Sequence, residues 1–207
     1  MNSFDLHMHS CYSNDGEFTP QELIHMAEEA HLTTIALSDH NTPKGIAEMV
    51  RLAEAKGIRV IPAMEFDTLF EELEVHVLGY GIDYEQPYFQ SLFNALSERK
   101  KAVQIKRVEK IREVFDLDID PAALLKRYAG KNPFPAIVHH IMEQYKDKKE
   151  FADYQPGGRR CEPQPVNFYW DMCSAGKPCY VRVEYPSLKD TVQRIHDAGG
   201  IAVLAHP

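Results

Sequence analysis

No run in this chain approaches the roughly 18 consecutive apolar residues that a membrane span requires. The N-terminus also lacks the charged-then-apolar pattern of a secretory signal, so a cytoplasmic location is the expectation. Cysteine is scarce: Cys11, Cys161, Cys173 and Cys179 include no C-x-x-C pair. They read as free thiols of a reducing compartment that pack structurally, rather than as disulfide partners or nucleophiles. Cys11 alone stands out, because it follows a pair of histidines. Internal repeats and low-complexity tracts are absent. Basic charge is missing where the chain starts. Residues 1–83 hold 15 acidic and 4 basic side chains, a balance of −11 within a net charge of −8. That segment suits cations and suits a long nucleic-acid groove poorly. Residues 84–165, with 12 acids and 15 bases, lean the other way and could face an anion, or simply present solvated helix faces.

What is present begins with Phe4-Asp-Leu-His-Met-His-Ser10. On a β-strand His7 and His9 share a face, because successive side chains alternate. Two imidazoles aimed at one point are half of a metal site. Asp5 has the same parity and is expected to orient one of them.

The first 83 residues alternate strand and helix. Strands are predicted at 4–10, 33–38, 59–66 and 74–81. The first helix is announced by a Thr19/Glu22 capping box with Pro20 at its first position, and Leu23, Ile24, Ala27 and Ala30 follow in helical phase. A second helix covers 44–56, with Ile46, Met49, Val50 and Ala53 on one face and Gly57 as its stop. This rhythm predicts a parallel sheet with crossover helices. From 86 to 174 the pattern becomes helical: a long helix over 87–115, then shorter ones at 121–129, 135–145 and 166–174, with a Pro/Gly-rich loop at 150–165. A helix carrying Leu188, Val192 and Ile195 then leads through Gly199-Gly200 into a last strand, Ile201 to Pro207.

Each strand carries metal-type residues: His7 and His9, then Asp15; His40 in Ser-Asp-His-Asn; Glu65; His76; and His206. In a parallel α/β barrel the C-terminal strand ends meet at one mouth. Seven donors remote in sequence are therefore expected to converge. Asp39 and Asn41 flank His40 and either support it or shape the turn. Tyr12 is a candidate to stack on a base. His25, His31, His139, His140 and His196 are expected to be surface or packing residues.

Together, Asp-Leu-His-Met-His-Ser, Ser-Asp-His-Asn, the Glu65 strand, His76-Val-Leu-Gly-Tyr and Gly-Gly-Ile-Ala-Val-Leu-Ala-His-Pro resemble the polymerase and histidinol phosphatase (PHP) domain family. The resemblance is strong over 1–83 and 177–207. It is closest to small phosphoesterases acting on nucleoside 3′,5′-bisphosphates or short 5′-phosphorylated RNA, which share a helical insertion before an Ala-His-Pro strand. It implies an α/β fold, a distorted (β/α)7 TIM-like barrel over 1–85 and 175–207, with the insertion over 86–174. It also implies two or three divalent ions (Zn, Mn or Fe). One would be held by His7, His9 and Glu65, a second by a bridging Glu65 with His76 and His206, and a third by Asp15 and His40.

The family pattern continues with an Asp-x-His motif and two more strands, which this chain does not contain. Three readings stand: a shortened or cleaved piece, a gap covered by another copy of the chain, or a natural remnant. The well-formed 187–206 unit favours the first. An Arg-Pro-His turn of related enzymes is also replaced, by Asn132-Pro-Phe-Pro135, which leaves Lys131, Arg159, Arg160 and Lys177 as candidate phosphate contacts. The expected activity is hydrolysis of a small phosphate ester, a nucleotide or short 5′-phosphorylated RNA, by metal-activated water. Histidinol phosphate is the alternative substrate. A non-catalytic metal-binding module is the alternative of another kind, given the missing motif. No membrane or long double-stranded nucleic acid is expected as partner.

Overall fold

The computed structural model describes residues 3–130 and 132–206. The chain divides into two compact units, residues 1–97 with 185–207, and residues 98–184.

The first unit is built on a five-stranded sheet: β1 (Phe4–Met8), β2 (Thr34–Leu37), β3 (Arg59–Phe70), β4 (Leu73–Tyr80) and β5 (Ile201–Leu204), in that spatial order. β1, β2 and β3 are parallel. Helix α1 (Pro20–Glu29) connects the first two, and Thr19 and Glu22 make the reciprocal capping box that the sequence announces. Helix α2 (Ile46–Glu54) connects the next two. Ile46, Met49 and Ala53 are buried on α2, whereas Val50, expected on the same face, is 36% exposed. A core of Leu23, Ile24, Ala27, Ile35, Leu37, Met49, Ala53 and Ile58 seals these helices to the sheet.

The all-parallel expectation fails after β3. β3 and β4 form an antiparallel hairpin turned by Glu71 (φ 55°) and Glu72, and β5 is antiparallel to β4. The reason is length. A parallel return needs a crossover of about a dozen residues or more, and only two residues separate Phe70 from Leu73. The described sheet is open, with β1 and β5 as its edges. The second core of this unit includes Met64, Phe66, Val77, Ile82, Phe89, Leu92, Leu96 and Ile195. It draws on the start of α3 (Pro87–Val114) and on α7 (Leu188–Asp197), whose N-cap Ser187 accepts from the Asp190 N–H.

The second unit is helical. It contains the rest of α3, α4 (Pro121–Arg127), α5 (Phe134–Gln144), a 3-10 turn over Lys149–Tyr154, α6 (Gln164–Phe168) and a π-turn over Tyr169–Cys173. Its own core runs from Val108 and Ile111 through Phe134, Ile137 and Ile141 to Phe151, Phe168, Cys173 and Cys179. Cys173 and Cys179 are buried, and Cys11 and Cys161 are half-buried. Among the described residues no helix is long and apolar enough to cross a membrane.

Candidate metal centre

Glu65 projects from β3 with its side chain fully buried, and five imidazoles surround it. Oε2 lies 2.7 Å from His7 Nε2, 3.2 Å from His9 Nε2 and 3.5 Å from His40 Nε2. Oε1 lies 3.0 Å from His76 Nδ1 and 2.9 Å from His206 Nε2. Asp15 closes the set, with Oδ2 3.3 Å from His40 Nε2 and Oδ1 3.8 Å from His9 Nδ1. All seven residues that the strand motifs singled out therefore lie in one place.

The route each takes follows from local structure. His7 and His9 share a face as their spacing requires, with ring centroids 5.0 Å apart. The segment after β2 continues as a bridge beside β3, pairing His40 with Glu65, and the Asn41 N–H donates to the Glu65 carbonyl over 2.8 Å. Asp39 shapes this junction: its carboxylate accepts from the backbone N–H and the hydroxyl of Ser10, each over 2.6 Å. Asp15 is carried back by a loop in which Gly16 passes so close to Ser10 that a Cβ there would lie 2.0 Å from the Ser10 carbonyl oxygen. His76 arrives differently from the expectation. β4 runs antiparallel, so the beginning of that strand, not its end, reaches the site, with His76 directly opposite Asp67 in register.

Asp67 was not singled out by motif. It stands two residues beyond Glu65 on the same strand, so strand parity places both carboxylates on one face. Asp67 is 4% exposed, and its Oδ1 is 2.6 Å from His40 Nδ1 and 3.8 Å from His76 Nε2. Ser13 was missed as well. Its hydroxyl donates to Asp15 Oδ1 over 2.5 Å and accepts from the His40 N–H over 3.2 Å. Asp5, expected to orient an imidazole, instead accepts from the His7 backbone N–H over 3.1 Å. The Tyr12 hydroxyl donates to Glu48 over 3.2 Å.

The electrostatics match a crowded donor set. Burial opposes ionisation of Glu65, yet the bonds from His76 and His9, the His40 charge and the bond from His7 hold its carboxyl far below the usual range. Asp15 is likewise held low against burial, by His40 and Ser13. Burial works against protonation of His40, but Asp15 and Asp67 lift its pKa to about 10. Glu65 and Glu74 lift His76 to about 9.

Three groups bring their donor atoms within 4.8 Å of one another: His7, Glu65 and His206; His9, His40 and Glu65; and His40, Asp67 and His76. These groups cut across the two oxygens of Glu65, of which Oε2 faces His7, His9 and His40 and Oε1 faces His76 and His206. His9 Nδ1 is buried without a hydrogen-bond partner. An imidazole-rich set with interleaved carboxylates and an unpaired ring nitrogen fits a transition-type divalent ion.

Of the phosphate contacts expected in the second unit, the two arginines have other side-chain partners, and for Lys177 the contact is one of its backbone. Arg160 is bound to Asp171 through Nε (2.9 Å) and Nη2 (2.8 Å), and Arg159 to Asp153 over 2.9 Å. The Lys177 N–H donates to the Ser174 carbonyl over 3.0 Å. Lys131 lies outside the described residues.

The PHP domain model matches residues 5–198, which includes six of the seven motif donors. The chain belongs to the PHP domain family. Among curated PHP relatives, a 5′-3′ exoribonuclease of Haemophilus influenzae is 30% identical over 99% of this chain and 68% of its own length. A 3′,5′-nucleoside bisphosphate phosphatase of Chromobacterium violaceum is 30% identical over 100% of this chain and 67% of its own. A solved structure described as an amidohydrolase from Chromobacterium violaceum, with bound sulfate and no metal, superposes with a TM-score of 0.70 at 25% identity, covering 99% of this chain and 67% of that one. The PHP chain thus spans about two thirds of the length of these proteins. It is a hydrolase of the phosphoesterase class.

Proposed function

We propose that this PHP chain hydrolyses small phosphate esters, nucleotides or short 5′-phosphorylated RNA, at divalent ions held by His7, His9, Asp15, His40, Glu65, His76 and His206. One observation carries the reading: a fully buried carboxylate, Glu65, offers one oxygen to His7, His9 and His40 and the other to His76 and His206. A lone buried carboxylate is costly, by several kcal/mol. Five converging imidazoles with a cation among them offset that cost. The ions would supply neutralisation of the phosphate oxygens and activation of water.

The chain's own groups have distinct tasks. Glu65 stays ionised between the two sets of imidazoles, and with both oxygens engaged it is no proton acceptor for substrate. Asp15, with its side chain half exposed, is the carboxylate at the open side of the set. In the second unit, Arg159, Arg160 and Lys177 are the candidate phosphate contacts, the arginines being held by Asp153 and Asp171. The sheet is proposed as part of a distorted (β/α)7 barrel, on the strength of its parallel first half and its family. The scarcity of cysteine and the lack of any C-x-x-C pair support a reducing compartment, the cytoplasm.

With Mn, Zn or Fe, phosphate release is to be measured on a nucleoside 3′,5′-bisphosphate and on histidinol phosphate, and mononucleotide release on a 5′-phosphorylated oligoribonucleotide. Metal-dependent turnover of either nucleotide substrate is expected. Preference for histidinol phosphate would replace the substrate assignment. Bound metal with no turnover of any of the three would favour a non-catalytic module.

A further inference from the structure

Asp67 lies outside the motifs that define the centre, yet it makes the shortest contact to His40. Its Oδ1 is 2.6 Å from His40 Nδ1, while His40 Nε2 faces Asp15 Oδ2 at 3.3 Å and Glu65 Oε2 at 3.5 Å. At this distance the carboxylate oxygen accepts a proton carried by Nδ1, which leaves Nε2 as the ring atom facing the other two carboxylates. The acceptor is itself held in place. Asn41, in the left-handed region (φ 54°), accepts from the Asp67 N–H through Oδ1 over 3.1 Å and donates its own N–H to the Glu65 carbonyl over 2.8 Å. The residue after His40 therefore clamps β3 on both sides of Phe66. Asp67 and the imidazole of His40 can hardly shift relative to each other.

We propose that Asp67 is a positioning residue: it accepts the Nδ1 proton of His40, fixes that tautomer, and presents Nε2 to the ion beside Asp15. This rests on the metal-centre reading above. Carboxylates that hold a ligand imidazole in this way typically contribute 10- to 100-fold in metal affinity.

The test compares the natural chain with Asp67→Ala, Asp67→Asn and His40→Ala. Cobalt and zinc binding are measured by titration and by metal content per chain, and long-range 1H–15N spectra are recorded on the zinc-loaded chains. We expect His40→Ala to lose one ion and Asp67→Ala to weaken that ion by about 10- to 100-fold. Asp67→Asn, which keeps a neutral acceptor, should lose only several-fold. The natural chain should show His40 protonated at Nδ1 and metal-bound at Nε2. Unchanged affinity in Asp67→Ala alongside a lost ion in His40→Ala would overturn the inference and leave the metal centre standing. So would ligation of His40 through Nδ1. If Asp67→Ala does not fold, Asp67→Asn decides, and natural affinity in that variant overturns the inference. A natural chain that takes up no ion overturns both readings.

Discussion

The rings of His7 and His206 stack with centroids 5.8 Å apart and planes inclined by 20°, although they come from opposite edges of the sheet. Four strand spacings in a flat sheet would separate those edges by about 19 Å. The sheet therefore curls around Glu65, and each edge sends one imidazole to a different oxygen of that carboxylate, over 2.7 and 2.9 Å. The site and the curvature are one feature, which makes Glu65 the residue whose loss is felt furthest.

Glu65→Gln keeps the shape and removes the charge. It should abolish metal uptake, measured by metal analysis after dialysis. The metal-free variant should also lose on the order of 3 kcal/mol, because one partner of a buried ionic cluster is gone. Urea unfolding in the presence of a chelator reads this. An unchanged midpoint would mean that the curl is held by packing alone.

His7→Ala should separate activity from folding. Its side chain is 31% exposed and packs no core, and four other imidazoles still face Glu65, so with a chelator present the thermal midpoint should fall by less than in Glu65→Gln. Metal-dependent phosphate release should fall by at least about 100-fold. Turnover at the natural rate would remove His7 from the centre.

Gly16→Ala tests the loop that returns Asp15. The added methyl would meet the Ser10 carbonyl oxygen at 2.0 Å, so backbone must move. We expect divalent-ion affinity to drop roughly tenfold while the α1/α2 core stays protected from hydrogen exchange. Calorimetric titration of the variant checks the first part. Natural affinity would show that Asp15 is not required.

Acid sensitivity has a source within the second unit. The Arg160 hydrogen bonds hold Asp171 below its usual range, with Tyr154 assisting. A carboxyl depressed in the folded state contributes stability above its unfolded pKa of about 3.9, and that contribution disappears as pH falls through the folded value. Natural chain and Asp171→Asn should therefore differ at pH 7 and converge toward pH 3 in urea unfolding. A gap that stays constant with pH would reject the linkage.

Loading with a divalent ion should raise the thermal midpoint in a concentration-dependent way, since the native donor set binds it and the unfolded chain does so poorly. Differential scanning with and without a chelator measures this. Coincident midpoints would count against a preformed centre.

Much of this was legible residue by residue. The Thr19/Glu22 box and Pro20 specify a helix start through contacts three residues apart, and the His7/His9 parity follows from strand geometry alone. The antiparallel β4 was legible too, in the short connection between the two strands, although the β-α-β rhythm suggested otherwise. Asp67 was hidden because the strand pattern was read as ending at Phe66, one residue short of the carboxylate. Val50 was placed on the buried face because helical period does not resolve the edge of an apolar stripe.

The amino-acid order alone determined which side chains could serve as donors and on which face of its own element each would project, since both depend on backbone repeats of 2 and 3.6 residues. Only the tertiary structure decided that one carboxylate is shared by five imidazoles, that the two sheet edges approach, and that Asp67 grips His40. Those relationships depend on curvature and register between segments up to 141 residues apart. No local spacing encodes them.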